Sequence, residues 1–228
     1  MQPDQRYLHV EKLLDESQLL QIWKLIQSAD FQDGTATATD FAKSVKKNQQ
    51  IRAEDNFQAQ QAGNIILQAM SQHPQVQTAI MPKMVLPPLI SKYTESMNYG
   101  MHVDSPLMGS QYTIRTDVGM TLFLSHPDTY QGGELEVLTE AGEKRFKLPA
   151  GDAVIYPTTK LHRVLPVTAG VRMAAVTWMQ CAVRNPELRD MLYSFNQATQ
   201  SVGHKGMKEE HLALQQVYAN LVRMWAEI

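Results

Sequence analysis

Two histidines, one aspartate and one arginine are the residues of this chain whose types and spacing could do chemistry together. His102 and Asp104 are separated by a single residue, His162 lies far downstream, and Arg172 follows shortly after it. Two imidazoles and one carboxylate are the ligand set of a facial iron(II) site, which leaves positions open for oxygen and a cosubstrate. The set predicts an oxygen-activating metal site, and Arg172 could hold the far carboxylate of the cosubstrate.

The spacing of His102 and Asp104 suits a β-strand, because residues two apart on a strand project from the same face. Pro106 favours an extended or turning backbone just after them, which places the pair at a strand end. Without a nearby cysteine, the set suits Fe(II) or Mn(II) better than structural zinc. An H-x-D triplet also arises by chance, and a lone histidine is commonly a core or surface residue. The β-rich surroundings and the later histidine and arginine favour the ligand interpretation.

Arg172 stands near the start of an apolar run over residues 171–178, which predicts a buried strand. A buried guanidinium is costly unless it is paired, and no acidic residue lies close to it in sequence. A ligand carboxylate is one partner, because arginine pairs with carboxylate in a planar bidentate geometry. The alternative is an arginine at a strand edge that reaches solvent or pairs with a distant acid.

Composition bounds the class of protein. The 228 residues are 43% hydrophobic, enough for a sizeable core, and the net charge of -2 gives no reason to expect nucleic acid or an anionic membrane as partner. Cys181 is the one cysteine, so an internal disulfide is excluded. The charged N-terminus shows no secretory signal, and no apolar stretch is long enough for a membrane span. We therefore expect a cytoplasmic location.

Helical periodicity predicts helices over residues 15–29 and 53–73 before the β-rich part, and over 186–199 and 209–228 after it. The polar segment 31–47 between the first two predicts a loop, and a place across the mouth of the site is one role for it. Gly203 and Gly206 between the last two helices favour a helical hairpin. These helices pack either on the β-rich part or on a second copy of the chain, and in the second case the protein would be a homo-oligomer.

Short apolar or alternating runs bounded by Gly, Pro and Asp predict eight strands in the middle of the chain. They cover residues 85–94, 98–103, 118–124, 134–138, 143–148, 153–156, 162–166 and 171–182. This number and spacing indicate a sandwich or barrel. We expect one domain at residues 1–183, including the N-terminal helices, and a helical extension at residues 184–228.

An ordered set of motifs carries a family resemblance that covers most of the chain. It comprises Gly100-Met101-His102-Val103-Asp104, Arg115-Thr116-Asp117, Thr121-Leu122-Phe123-Leu124-Ser125, Tyr130-Gln131-Gly132-Gly133-Glu134-Leu135, Leu148-Pro149-Ala150-Gly151-Asp152, Tyr156-Pro157, Leu161-His162-Arg163-Val164 and Pro166-Val167-Thr168. The chain resembles the bacterial PKHD-type hydroxylases, which are iron(II)/2-oxoglutarate dioxygenases of the prolyl-hydroxylase-like group.

The resemblance implies a mainly β fold, a double-stranded β-helix (jelly-roll barrel) with two N-terminal helices and a C-terminal helical hairpin. It implies iron ligation by His102, Asp104 and His162, and 2-oxoglutarate binding by Arg172. Tyr93 is the positional match for a tyrosine that helps to hold the cosubstrate, although a core tyrosine accounts for it equally well. The family is also associated with L-ascorbate, for which no residue here shows a site.

The implied reaction is hydroxylation of a substrate C–H bond with release of succinate and CO2. A peptidyl proline or lysine is the substrate that the resemblance suggests, and a small metabolite is equally open. A cupin-like metal protein is the alternative, either as an enzyme independent of 2-oxoglutarate or as a non-enzymatic sensor of a small acid. Cupin ligand sets usually contain more histidines and a glutamate, and this chain lacks an H-x-H start.

Overall fold

The computed structural model describes residues 7–37, 40–54, 56–110 and 112–227, in which helices flank a β-rich centre. The α-helices of this part are α1 (Glu16–Ile26), α2 (Asp40–Val45), α3 (Phe57–Gln72), α4 (Pro74–Ala79), α5 (Pro186–His204) and α6 (Lys208–Trp225). Short 3-10 turns span Gly34–Thr37 and Pro127–Thr129.

The β-strands of the same part pair antiparallel throughout. They are β1 (Leu8–Val10), β2 (Gln32–Asp33), β3 (Lys46–Lys47), β4 (Gln49–Arg52), β5 (Pro82–Val85), β6 (Leu89–Tyr93), β7 (Asn98–His102), β8 (Leu107–Met108), β9 (Ile114–Arg115), β10 (Val118–Phe123), β11 (Tyr130–Gly132), β12 (Leu135–Thr139), β13 (Gly142–Phe146), β14 (Ala153–Pro157), β15 (His162–Val164), β16 (Val167–Gly170) and β17 (Arg172–Cys181).

Two sheets form the centre of the fold. The larger has the order β1-β14-β10-β17-β6-β4-β2, with β5 also paired to β17, and the smaller has the order β13-β12-β15-β7-β3. Phe123 and Tyr156 of the larger sheet pack with Leu135 and Val137 of the smaller, so the two sheets face each other. This arrangement is the jelly roll with flanking helices that the resemblance implied.

The larger sheet is covered on both sides. Met120 and Leu122 of β10 pack with Ile22 of α1 and Ile66 of α3, whereas Phe123 faces the smaller sheet. Successive residues of a strand project to opposite faces, so a strand between two layers buries every side chain. All of β10 is buried, which is why its sequence contains no charged residue and shows no alternation of apolar and polar side chains.

The predicted strands are confirmed in position, with two kinds of difference. The run at 85–94 is divided, because Pro87 and Pro88 separate β5 from β6 and proline cannot donate to a ladder. The short strands β1, β4, β8, β9, β11 and β16 were not predicted. Strands of two to four residues are too short for a clear period-two pattern. β1 and β4 form by pairing with the longer strands β14 and β6, whereas β8 pairs with β9 and β11 pairs with β16.

The prediction of a loop at 31–47 was wrong. The described residues of that segment contain β2, a 3-10 turn, α2 and β3; residues 38 and 39 lie outside the described part. β2 and β3 form by pairing with β4 and β7, which local polarity does not reveal. A further helix begins at Pro74, where the second predicted helix ends, so four helices and not two precede β5.

The C-terminal helices form the expected hairpin. α5 packs against α6 and also against α4, and the end of the chain returns to the larger sheet through pairing of Val183 with Ala226. Arg115 donates to Glu227 at 3.1 Å and also to Asp117, which ties the chain end to β9. Among the described residues, no helix is long and apolar enough to cross a membrane.

The interface between α1, α3 and the larger sheet should dominate stability. Leu122→Ala removes a fully buried side chain and should lower the free energy of unfolding by about 3 kcal/mol, because it leaves a cavity. Leu20→Ala, at a residue 55% exposed on α1, should change it by less than about 0.5 kcal/mol. Urea denaturation followed by circular dichroism measures both; equal losses would contradict this account of the core.

Candidate metal centre

Strand pairing brings the three predicted ligands together. β15 runs antiparallel to β7, and His162 lies directly opposite His102 in this ladder. Asp104 follows shortly after the end of β7. One ligand atom from each residue lies within 4.8 Å of the other two, and all three side chains are more than nine-tenths buried. Residues far apart in sequence thus form a single buried cluster.

Backbone hydrogen bonds orient both imidazoles. His102 Nδ1 lies 2.8 Å from the carbonyl oxygen of Gly100, and His162 Nδ1 lies 3.0 Å from that of Lys160. A carbonyl only accepts, so each Nδ1 carries a proton and donates, and in the neutral form of each ring the lone pair is on Nε2. These two Nε2 atoms lie 4.0 and 3.7 Å from the Asp104 carboxylate oxygens. The lone pairs are therefore on the atoms nearest the carboxylate.

Burial shifts the pKa values of His102 and Asp104 in opposite directions. Burial, and to a smaller extent His162, lowers the pKa of His102 to about 3, so its ring is neutral. Burial raises the pKa of the Asp104 carboxyl, which His162, Trp178 and Lys46 oppose. Asp104 Oδ2 is buried without a hydrogen-bond partner, which is costly for a carboxylate oxygen. A cation would pair this atom, so the cluster fits Fe(II).

Two tyrosines pack on the imidazoles, and neither was predicted as a site residue. Tyr99 stacks on His102 with ring centroids 3.6 Å apart, and Tyr156 meets His162 edge-on at 5.2 Å. Tyr99 precedes His102 by three residues, a spacing that puts side chains on opposite faces of a regular strand. Strand periodicity therefore could not predict the contact between Tyr99 and His102.

The ligands lie in the wall of a cavity of about 510 Å³ between the two sheets. Val103 and Leu107, both more than half exposed, form an apolar part of its mouth. The larger sheet supplies most of the opposite wall, with Gln50, Leu89, Ser91, Tyr93, Thr121, Tyr156, Arg172, Val176 and Trp178. Apolar and polar groups therefore meet at one enclosed site, as in binding pockets for small molecules.

Arg172 and Tyr93 are direct neighbours in this cavity. They lie opposite each other in the β17–β6 ladder, and the guanidinium sits 5.1 Å from the Tyr93 ring centroid and 5.5 Å from that of Phe123. Arg172 is 1% exposed, which excludes an arginine that reaches solvent. Its Nε has no hydrogen-bond partner, and among the described residues no acidic side chain forms an ion pair with it. The side chain is therefore suited to an anionic ligand.

The other histidines lie apart from this cluster. His9 is hydrogen-bonded to Asp152 at 2.7 Å, and His126 is exposed in a turn, as its sequence context predicted. His204 ends α5, and His211 lies on α6 near the carbonyl of Thr199. Among the described residues, His102, Asp104 and His162 are the group that could hold a metal ion.

Two facing antiparallel sheets with a His-Asp-His cluster and a buried arginine in one cavity define a metal-dependent oxygenase of the double-stranded β-helix class. Residues 88–180 match the model of the 2OG-Fe(II) oxygenase superfamily, and residues 187–227 match that of the PKHD-type hydroxylase C-terminal domain. The chain belongs to the PKHD-type hydroxylase family, and its cofactors are accordingly Fe(II) and 2-oxoglutarate.

Curated relatives match along nearly their whole length. A PKHD-type hydroxylase of Acinetobacter baumannii is 37% identical, with 96% of this chain and 99% of the relative covered. One from a Synechococcus strain is 41% identical, with 97% and 99% covered. A solved prolyl hydroxylase from Trichoplax adhaerens, in complex with a peptide fragment, has a TM-score of 0.59 at 15% identity, with 77% of this chain and 84% of that chain covered. The similarity to the hydroxylases decides against the cupin-like alternatives.

Gly133 should control the position of Arg172. It has φ of +67°, and a Cβ there would lie 3.0 Å from Arg172 Cδ and 2.9 Å from Val167 Cγ2. Gly133→Ala should lower stability by about 1–3 kcal/mol through backbone strain and should weaken 2-oxoglutarate binding by displacing the guanidinium. Gly142→Ala is the matched control, because Gly142 also has positive φ but meets nothing within 4 Å. Equal 2-oxoglutarate affinity in both variants, by anaerobic calorimetry, would refute the displacement.

Proposed function

We propose that this hydroxylase holds Fe(II) with His102, Asp104 and His162 and hydroxylates a substrate C–H bond, converting 2-oxoglutarate into succinate and CO2. The observation that carries the assignment of the ligands is the convergence of one donor atom from each residue within 4.8 Å. The buried Oδ2 of Asp104, which has no protein partner, supports it.

When bound, Fe(II) and 2-oxoglutarate supply the activation of dioxygen and the oxidation of the C–H bond. The side chains bind and orient. Gly100 and Lys160 hold the two imidazoles through their carbonyl groups, and Tyr99 packs on the first of them. The oxidation needs no protein group as general acid or base at the C–H bond, so none is assigned.

We further propose that Arg172 binds the far carboxylate of 2-oxoglutarate and that Tyr93 helps to hold the cosubstrate. A guanidinium with a buried, unpaired Nε gains most from an anion that enters the cavity. Tyr93 is opposite it in the ladder and lines the same cavity. The alternative role for Tyr93 is packing, since its ring also lies beside the guanidinium of Arg172.

A peptidyl proline or lysine is our proposed substrate. The fold is similar to that of a prolyl hydroxylase solved with a peptide fragment. A second cavity of about 300 Å³ lies between α3 and the loop after β8 and shares wall residues such as Glu54 and Ser110 with the first. The two together offer room for a reacting side chain and for the residues that flank it. A small metabolite is the alternative.

We propose the same division of the chain as the sequence suggested, a dioxygenase domain at 1–183 and a helical extension at 184–228. The match of 187–227 to a separate C-terminal model supports it. Segment 31–47 is proposed as a cover of the mouth, because Ala36, Ala42 and Lys46 line the cavity. Its deletion should disturb use of the primary substrate more than iron binding.

L-ascorbate is proposed as the reductant that keeps the iron ferrous, on the family association. A cytoplasmic location suits ferrous iron and a lone buried thiol, Cys181. The net charge of -2 supports neither nucleic acid nor a membrane as partner. A homo-oligomer would cover apolar residues of the tail such as Leu212 and Met224, which are exposed.

Anaerobic titration tests the function. A charge-transfer absorption band should appear only when Fe(II) and 2-oxoglutarate are both present, and succinate should form once oxygen is admitted. A substrate screen read by succinate release then searches for the hydroxylated molecule, with prolyl and lysyl peptides first. Absence of the band under these conditions would contradict the proposed function.

Asp104→Ala should weaken Fe(II) binding by roughly a hundredfold and abolish succinate formation, because the only charged ligand is lost. Asp128→Ala is the control, since that carboxylate is exposed in a turn. Competition with a metal-binding dye measures affinity under nitrogen. Unchanged affinity in the Asp104 variant would remove this residue from the ligand set.

Arg172→Ala should raise the 2-oxoglutarate concentration at half-saturation of the band by roughly a hundredfold, because a bidentate charged pair is lost. Metal affinity should stay close to that of the native protein, which shows that the variant is folded. Arg172→Lys should recover only part of the loss, since lysine lacks the planar fork. Half-saturation equal to that of the native chain would exclude Arg172 as the anchor.

A further inference from the structure

Trp178 brings into the cavity a hydrogen-bond donor that the metal and cosubstrate proposals do not use. Arg172, Val176 and Trp178 of β17 all line this cavity, because residues two apart on a strand project from the same face. The indole Nε1 of Trp178 is buried and has no hydrogen-bond partner. An indole N–H only donates, and leaving it unpaired away from water costs free energy. The position of Trp178 therefore requires an acceptor inside the cavity.

The carboxylate of Asp104 lies beside this donor. Trp178 pairs with Gly119 in the β17–β10 ladder. Gly119 has no side chain, and a Cβ placed on it would lie 3.5 Å from Asp104 Oδ2. Asp104 itself belongs to the segment that follows β7 of the smaller sheet. Its carboxylate therefore reaches across the cavity to the larger sheet and meets that sheet where Gly119 and Trp178 are paired.

The carboxylate of Asp104 in turn needs a donor, because its Oδ2 is buried without a hydrogen-bond partner. Burial raises the pKa of Asp104, and of the three side chains that oppose this change, Trp178 is the one that acts through hydrogen bonding. The indole and the carboxylate are thus near enough to interact but do not form a hydrogen bond of regular geometry. A donor and an acceptor that are each costly when unpaired lie in the same part of the cavity.

The number of oxygens that Asp104 offers decides how many positions of the metal stay open. A site with two histidines and one carboxylate serves oxygen chemistry because the remaining positions are free for the other reactants. A carboxylate that binds the metal through both oxygens would occupy one of these positions. A hydrogen bond to one oxygen prevents this, and ligating carboxylates are commonly held by such partners.

We propose that Trp178 is a positioning residue of the metal centre, whose indole N–H donates to the carboxylate oxygen of Asp104 that the bound metal leaves free. This inference rests on the proposed function. The hydrogen bond keeps Asp104 a ligand through one oxygen. Together with the metal, it satisfies two buried polar groups that have no partner within the protein. Trp178 acts through Asp104 and not on the substrate.

Binding of Co(II) in place of Fe(II) tests this role, because the visible absorption bands of Co(II) report its coordination number and geometry. Under nitrogen, Trp178→Phe should weaken Co(II) binding roughly tenfold and should change these bands. Replacement of Trp178 by 3-benzothienylalanine, which keeps the shape of the indole but has sulfur in place of N–H, should have the same two effects. If this isostere binds Co(II) and absorbs as the native protein does, shape alone suffices and the proposal is overturned.

Trp23→Phe is the matched control, because it removes an indole N–H outside the site. Trp23 belongs to α1, which packs on the other face of the larger sheet, and its Nε1 donates to the carbonyl of Leu124 at 3.0 Å. This variant should bind Co(II) with native affinity and native absorption bands. If it weakens Co(II) binding as much as Trp178→Phe does, the loss reflects general stability and the proposal fails. If Trp178→Phe does not fold, the isostere decides alone.

The outcomes separate this inference from the proposed function. Failure of the native protein to form the Fe(II)–2-oxoglutarate band refutes the function itself. A normal band in the native protein, together with native Co(II) affinity and absorption in the Trp178 variants, refutes only the role of Trp178.

Discussion

The site depends on one constraint, that the carboxyl group of Asp104 and the imidazoles of His102 and His162 stay together away from water. Asp104 is nearly buried with an oxygen that finds no protein donor, which costs free energy in the absence of a cation. The imidazoles tolerate burial because the Nδ1–H group of each donates a hydrogen bond to a backbone carbonyl. Binding of Fe(II) at the proposed ligands would remove this local cost, which would link metal affinity to local stability.

The apolar core and the cavity lie on opposite faces of the larger sheet, so packing of the core offsets the cost of burying polar groups at the site. One face of the larger sheet packs on α1 and α3 and forms most of the apolar core. The other face is free to carry Ser91, Tyr93, Thr121 and Arg172 toward the cavity. The proposed metal ligands lie on β7 and β15 of the smaller sheet and on the segment just after β7. In the proposed function, cosubstrate and metal would therefore meet between two paired ladders, which would fix their relative positions.

Much of the centre was predictable from the residues, and the edges were not. The long strands β10 and β17 were predictable because they are mostly buried and therefore rich in apolar residues. The polarity of segment 31–47 predicts a loop, but the structure shows short strands there. These strands form only by pairing with distant strands, so the local sequence does not reveal them. The place of Lys46 in the cavity wall was missed for the same reason. Nothing local distinguishes a lysine that a remote sheet buries from one that faces solvent.

The sequence by itself determined the donor types, the same-face spacing of His102 and Asp104, and a charge at Arg172 that needed a partner, since these follow from side-chain chemistry and strand periodicity. Only the tertiary structure decided that His162 lies opposite His102 and that Arg172 lies opposite Tyr93. Antiparallel register is set by packing across the whole sheet, and no local pattern encodes it. The tertiary structure also decided that Tyr99 stacks on His102, because this contact depends on how the end of the strand packs and not on strand periodicity.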